Sequence, residues 1–174
     1  DTLFGYGGKA GEVAYDVGFM RYNYPGLNEK TGGYLDAKTT APVDTDYNEI
    51  YASVSMMGAK LGLNYSPDYF AESDKFLYVF ASYGAEIAGV GLSASVGMNK
   101  FDDASRMSQA LGLTANMDDS YMDYKLAASK SIAGLTFEGA YIGSDIDSKY
   151  CLNVSGTENG LCEPRFVVTM TKGF

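Results

Sequence analysis

Apolar and polar positions alternate along much of the chain, and the alternation breaks at Gly, Pro and polar clusters. It is cleanest over residues 90–99, where Val90, Leu92, Ala94, Val96 and Met98 oppose Gly91, Ser93, Ser95, Gly97 and Asn99. A strand repeats its side-chain direction every second residue, so this pattern predicts a strand with one apolar and one polar face. The final ten residues read the same way. Phe166, Val168, Met170, Lys172 and Phe174 share one face, and Arg165, Val167, Thr169, Thr171 and Gly173 share the other. Ten residues is about the length of a tilted strand that crosses a bilayer. An amphipathic edge strand of a soluble sheet would read alike.

The same criterion predicts nine strands, over residues 1–7, 12–24, 47–57, 59–66, 75–85, 90–99, 121–132, 135–144 and 165–174. The strand over 75–85 lacks a clear polar face. Short turns are expected at 8–11, 58, 86–89 and 133–134, and long connections at 25–46, 67–74, 100–120 and 145–164, with a helical turn near 107–113. Short and long connections therefore alternate, as in membrane barrels with short periplasmic turns and longer outer loops. A soluble sandwich or lipocalin-like barrel has no reason to keep that asymmetry. The predicted fold class is all-β: an antiparallel up-and-down transmembrane β-barrel, formed as a single domain over residues 1–174. On this reading Tyr22, Tyr24, Tyr47, Tyr65, Tyr69, Phe70, Phe101 and Tyr121 lie at strand ends where Tyr favours the bilayer interface. Ordinary strand propensity would place them there too.

Composition narrows the function. The chain has 174 residues, with 21 Gly, 15 Tyr and 9 Phe but only 4 Pro. Its net charge of -9 argues against a nucleic-acid partner. It has no His, which removes Ser-His and Cys-His nucleophile pairs and His metal ligands, so an enzyme is not expected, and with only two Cys neither is a metal site; no cofactor is expected. The longest uncharged run, residues 87–99, is too short for a membrane helix of about 20 residues.

The candidate lumen-lining residues are Glu12, Asp16, Glu49, Lys60, Asn64, Asp123, Lys125, Glu138 and Arg165. They either pair across the barrel or line a water path. Most acidic residues fall in the long loops, among them Asp102, Asp103, Asp118, Asp119, Asp145 and Asp147. Clustered charge of this kind can hold a divalent cation or bias a pore mouth toward cations, or is simply a solvated surface; no spacing here matches a known calcium loop. The two Cys, Cys151 and Cys162, share one loop and fit an oxidising compartment such as the periplasm. A disulfide closing that loop is expected, the alternative being two free thiols.

Three segments resemble the TorF-type porin family of proteobacterial outer-membrane proteins: Tyr15-Asp-Val-Gly-Phe-Met-Arg-Tyr-Asn-Tyr-Pro-Gly26, Tyr47-Asn-Glu-Ile-Tyr51 and Asn64-Tyr-Ser-Pro-Asp-Tyr-Phe70. The resemblance implies a barrel in the bacterial outer membrane and a channel, and supplies no catalytic residues. Its pattern implies about three strands ahead of Asp1, for a barrel of about twelve. The even strand number usual in bacterial barrels also asks for at least one earlier strand. The expected partners are outer-membrane lipid and small ions or polar solutes. The expected function is a narrow channel, the alternative being a non-conducting structural or docking barrel that acts through its outer loops.

Overall fold

The computed structural model describes residues 1–27, 35–36, 38–39, 41–113, 115, 118–151 and 162–173. Nine strands form one antiparallel sheet in sequence order: β1 (Thr2–Ala10), β2 (Val13–Tyr22), β3 (Tyr47–Met56), β4 (Ala59–Ser66), β5 (Phe76–Ile87), β6 (Val90–Phe101), β7 (Ser120–Ile132), β8 (Leu135–Ser144) and β9 (Arg165–Lys172). One helix, α1 (Ala104–Leu111), lies between β6 and β7, and a single 3₁₀ turn spans Ser148–Tyr150. Among the described residues no helix is long and apolar enough to cross a membrane. β1 and β9 do not pair with each other, so the sheet is open and has two edges.

The ladders place the faces without ambiguity. Val17, Ala52, Leu63, Val79, Met98 and Met122 face one another in succession from β2 to β7. Asp16, Ser53, Gly62, Phe80, Gly97 and Asp123 form the adjacent row, on the opposite face. Every carboxylate within the strands lies on this second, polar face: Asp16, Glu49, Glu86, Asp123 and Glu138. The apolar face carries charge only as Arg21, Lys100, Lys130 and Lys172, each within three residues of a strand end. Among the described residues nothing covers the apolar face. Val17, Leu63, Val79, Met98 and Met122 are 40–46% exposed although strands flank each of them on both sides.

Four two-residue turns close the hairpins at one end of the sheet: Gly11-Glu12, Met57-Gly58, Ala88-Gly89 and Ala133-Gly134. The other three pair a non-Gly residue with Gly, both at positive φ: 50° and 84°, 51° and 74°, 52° and 79°. Such mirror-image turns match the twist of the strands they join. The long connections all leave from the opposite end. β9 runs toward the hairpin end, since Lys172 pairs with Leu135. The expected asymmetry of connections is therefore present.

Several strand bounds differ from expectation. β1 runs to Ala10, so the turn falls on Gly11-Glu12 and Glu12 stands in that turn, beyond the end of β2. β6 continues to Phe101 and β5 to Ile87. The helix begins at Ala104, earlier than expected, because Asp103 caps it, and it ends at Gly112 in the left-handed conformation.

The mixed character of β5 has a packing cause. On the polar face Phe80 lies over Gly62 and Tyr78 over Gly97, so that a Cβ at either glycine would come within 2.4 Å of a ring atom. Tyr51 covers Gly5 and Gly18 in the same way. Large rings on this face thus lie over small neighbours, an aromatic rescue of strand glycines.

The strained turns generate a prediction. Ala88 and Ala133 occupy positive φ, where Asn is much better tolerated. Ala88→Asn and Ala133→Asn should each stabilise the fold by about 0.5–1 kcal/mol. A raised urea midpoint with unchanged slope is the expected readout.

Candidate functional site

The polar face and the loop end together form the candidate site. Asp16, Glu49, Lys60, Asn64, Asp123, Lys125, Glu138 and Arg165 all project from the polar face by their register. Several are bonded to one another or to neighbours. Lys125 Nζ meets Glu138 Oε1 at 2.6 Å. Asp123 accepts from Asn99 Nδ2 at 2.7 Å and from the Tyr78 hydroxyl at 3.2 Å. Glu49 accepts from Asn64 Nδ2 at 3.2 Å, and Asp16 from the Tyr51 hydroxyl at 3.4 Å. Lys60 directs its ammonium at the Phe80 ring, 5.7 Å from the centroid. The face is thus a set of short local bonds with both signs of charge.

Toward the loop end this face turns aromatic. Rings follow one another across five strands and a loop: Tyr22 and Tyr47 at 4.5 Å, Tyr47 and Tyr69 at 4.7 Å, Tyr69 and Phe76 at 4.1 Å, Phe76 and Phe101 at 4.9 Å, Phe101 and Tyr121 at 6.4 Å. Tyr24 and Phe70 join at the side, 5.2 Å apart. This corrects the interfacial reading of these rings. Tyr47 and Phe101 share the face of Glu49 and Asn99, and both are buried under the loops. Tyr65, in contrast, lies on the apolar face, opposite Ile50 and Leu77.

Helix α1 seals the ring layer. Its Met107 is fully buried against Phe76 and Phe101, with Tyr69, Tyr78, Leu111, Leu113 and Tyr121 packed around them. Asp103 Oδ1 accepts from the backbone N–H groups of Ser105 and Arg106, at 2.9 and 3.0 Å. One guanidinium then ties two loops to the helix. Arg106 Nη1 meets Asp36 Oδ2 at 2.5 Å, and Arg106 Nε meets Asp74 Oδ2 at 2.5 Å. Gln109 donates to the Ala71 carbonyl, and Lys38 reaches Asp103 at 2.7 Å.

Loop 67–74 accepts unusual backbone geometry in return. Ala71, Glu72 and Asp74 all have positive φ, and Ala71 and Ser73 are fully buried. Non-Gly residues in that region cost about 1–3 kcal/mol each, so the surroundings must hold them there. The Gln109 and Arg106 contacts supply that hold.

The acidic candidates of the loop end are mostly engaged. Asp102 pairs with Lys75, Asp103 with Lys38, Asp119 with Lys100, and Asp147 with Lys149. Asp145 accepts the Met122 N–H at 2.8 Å, while Asp118 is exposed. The loop end therefore carries less uncompensated charge than its composition suggests. Cys151 and Cys162 form a disulfide with a Cα–Cα distance of 6.0 Å. The expected pairing is present. Closing a loop of this size stabilises by about 2–3 kcal/mol on the chain-entropy argument. Among the described residues no three acidic or Cys side chains converge as a metal site would need.

The model of a bacterial protein family of unknown function, Gcw_chp, matches residues 1–174. The chain belongs to this family. Comparison with curated proteins and with solved structures finds no match. Membership in Gcw_chp assigns no reaction or ligand, so the function has to be argued from the faces and the cap.

Two predictions follow from the cap. Arg106 and Asp36 side chains are only 12% and 11% exposed, and removing the guanidinium leaves the Asp36 carboxylate buried without its ion-pair partner. Arg106→Met should cost about 3 kcal/mol and speed proteolysis within loop 67–74, and adding Asp36→Asn should restore part of the loss.

The pH response has a definite sign. The Arg106 guanidinium, then the Thr39 N–H, holds the Asp36 carboxyl well below the ordinary aspartate value of 3.8. Lys38, then Ser105, lowers Asp103 likewise. A depressed carboxyl contributes stability above its unfolded value and loses it as pH falls through the folded one. The near-UV circular dichroism of the cap tyrosines should stay flat from pH 7 to 5 and decline only below about pH 4.

Proposed function

We propose that the sheet is the wall of a bacterial outer-membrane β-barrel and that the barrel is a narrow channel for ions or small polar solutes. The observation that carries this reading is the continuous, uncovered apolar face, free of carboxylates across nine strands. Such a face is stable against lipid and costly against water. The position of its basic residues agrees. A Lys or Arg on a barrel's lipid face costs about 2–4 kcal/mol at the midplane and about 0–1 near the interface. Arg21, Lys100, Lys130 and Lys172 all sit near strand ends, where their stems can reach the headgroups.

On this reading the edges of β1 and β9 must be paired in the membrane. In hydrocarbon, an unpaired row of N–H and C=O groups is not tolerated. A barrel of about twelve strands lies between eight-stranded barrels filled by side chains and 16-stranded porins with water channels. The resemblance of residues 15–26 and 64–70 to TorF-type porins points the same way. The polar face, with small residues and charges of both signs, suits a constricted water path.

A second reading is favoured by one observation. The aromatic layer and α1 cover the polar face at the loop end, which suits a non-conducting barrel that acts as a structural protein or docks partners through its loops.

Planar-bilayer recording of the folded, full-length protein under a KCl gradient separates the two. The expected result is a small conductance with mild cation preference, weakened by added salt. Arg106→Met, which loosens the cap, is expected to raise that conductance several-fold. Absence of conductance from both proteins would favour the non-conducting barrel, and chloride preference would overturn the cation preference.

A further inference from the structure

We propose that the polar face holds a binding site for small organic ammonium ions, with Glu49 and Asp16 as its anionic groups. The site is a cavity of about 370 Å³ lined by Asp16, Glu49, Tyr51, Lys60, Asn64 and Phe80. That volume lies in the range of small-molecule sites.

Glu49 is the reason to expect a cation there. It is only 6% exposed. Its hydrogen-bond donors are the Asn64 amide and the Tyr22 hydroxyl, both neutral. Among the described residues no Lys or Arg lies within ion-pair distance of it. A buried ionised carboxylate with neutral partners alone is unfavourable, and a bound cation relieves it. Glu138, on the same face, shows the alternative solution, since Lys125 neutralises it directly.

The remaining walls select the kind of cation. Asp16, a second carboxylate, lines the same cavity and, among the described residues, accepts only from the Tyr51 hydroxyl. Lys60 is the one basic residue among the described residues that line the cavity and points over Phe80, so two carboxylates face one ammonium there. Tyr51 and Phe80 bring ring faces that attract cations. Met20 pairs with Glu49 and Leu3 with Met20 in the ladders, which sets an apolar wall beside the carboxylate. A bare metal ion would want a tighter cage of oxygens. A short alkylammonium uses both the carboxylates and the apolar wall.

This inference deepens the channel reading and rests on it for any role in permeation, whereas binding can be measured without conduction. The test is titration of the folded, full-length protein in detergent micelles with propylammonium chloride, followed by saturation-transfer NMR, with propionate as the opposite-charge probe. Saturable propylammonium binding is expected, weakened at least ten-fold by Glu49→Gln and several-fold by Asp16→Asn. Glu86→Gln removes a carboxylate of the same face outside the cavity and should leave binding unchanged. If Glu49→Gln does not fold, Asp16→Asn decides. No saturable binding, equal binding by all variants, or preference for propionate would overturn the site. Binding without conductance would remove the channel reading and leave the site standing. Conductance without binding would do the reverse.

Discussion

The alternation of side chains along a strand is the constraint on which the rest of this structure depends. Each strand carboxylate, from Asp16 to Glu138, falls on one face, and the exposed Val, Leu, Ile and Met positions of the strands fall on the other, with Leu3, Ile142 and Val167 as the exceptions. A slip of one residue in any ladder would bring Asp16, Glu49 or Asp123 onto the apolar face. The register is therefore specified by both faces at once. Two-residue hairpins reinforce it, because turn length fixes which residues oppose one another. The positive φ at Met57, Ala88 and Ala133 is a local cost of keeping those turns short.

With parity fixed, the polar face still has to be filled. Its mid-region does this with glycines beneath rings, as at Gly62 under Phe80 and Gly97 under Tyr78. Its loop end does so with a small core of rings around Met107. The two solutions have different consequences. Rings over glycines stay within the sheet and leave space beside them, including the cavity at Glu49. The Met107 core needs a separate segment laid over the sheet, and that segment needs an anchor. Arg106 is the anchor, joining residues far apart in the chain through Asp36 and Asp74.

What was legible in the sequence follows from these length scales. The bounds of β4 and β8 and the clean alternation of β6 were readable because period-two patterns are local. So were the alternating turn lengths. The aromatic layer was misplaced because Tyr47 and Phe101 were judged by their nearness to loops, whereas parity with Glu49 and Asn99 puts them on the polar face. That signal was available. The Arg106 contacts were not, since Asp36 lies 70 residues away and no local pattern pairs them. A partial cue did exist in Asp103-Ala-Ser-Arg106 followed by Gly112, a capped short helix with one cation in its first turn.

The placement of charge carries the argument one step further. Composition suggested an acidic outer mouth that would attract cations. Lysines of the loops, and Lys100 at the end of β6, instead offset Asp102, Asp103, Asp119 and Asp147, and the fields of such pairs decay quickly in salt. On the polar face the situation reverses. Among the described residues Glu49 and Asp16 have no bonded cation, and Glu49 is screened from water, so its field is less attenuated than that of a loop acid. On the proposed channel reading, discrimination between charges falls to the interior of the polar face and access falls to the aromatic cap above it, so separate residues carry the two tasks.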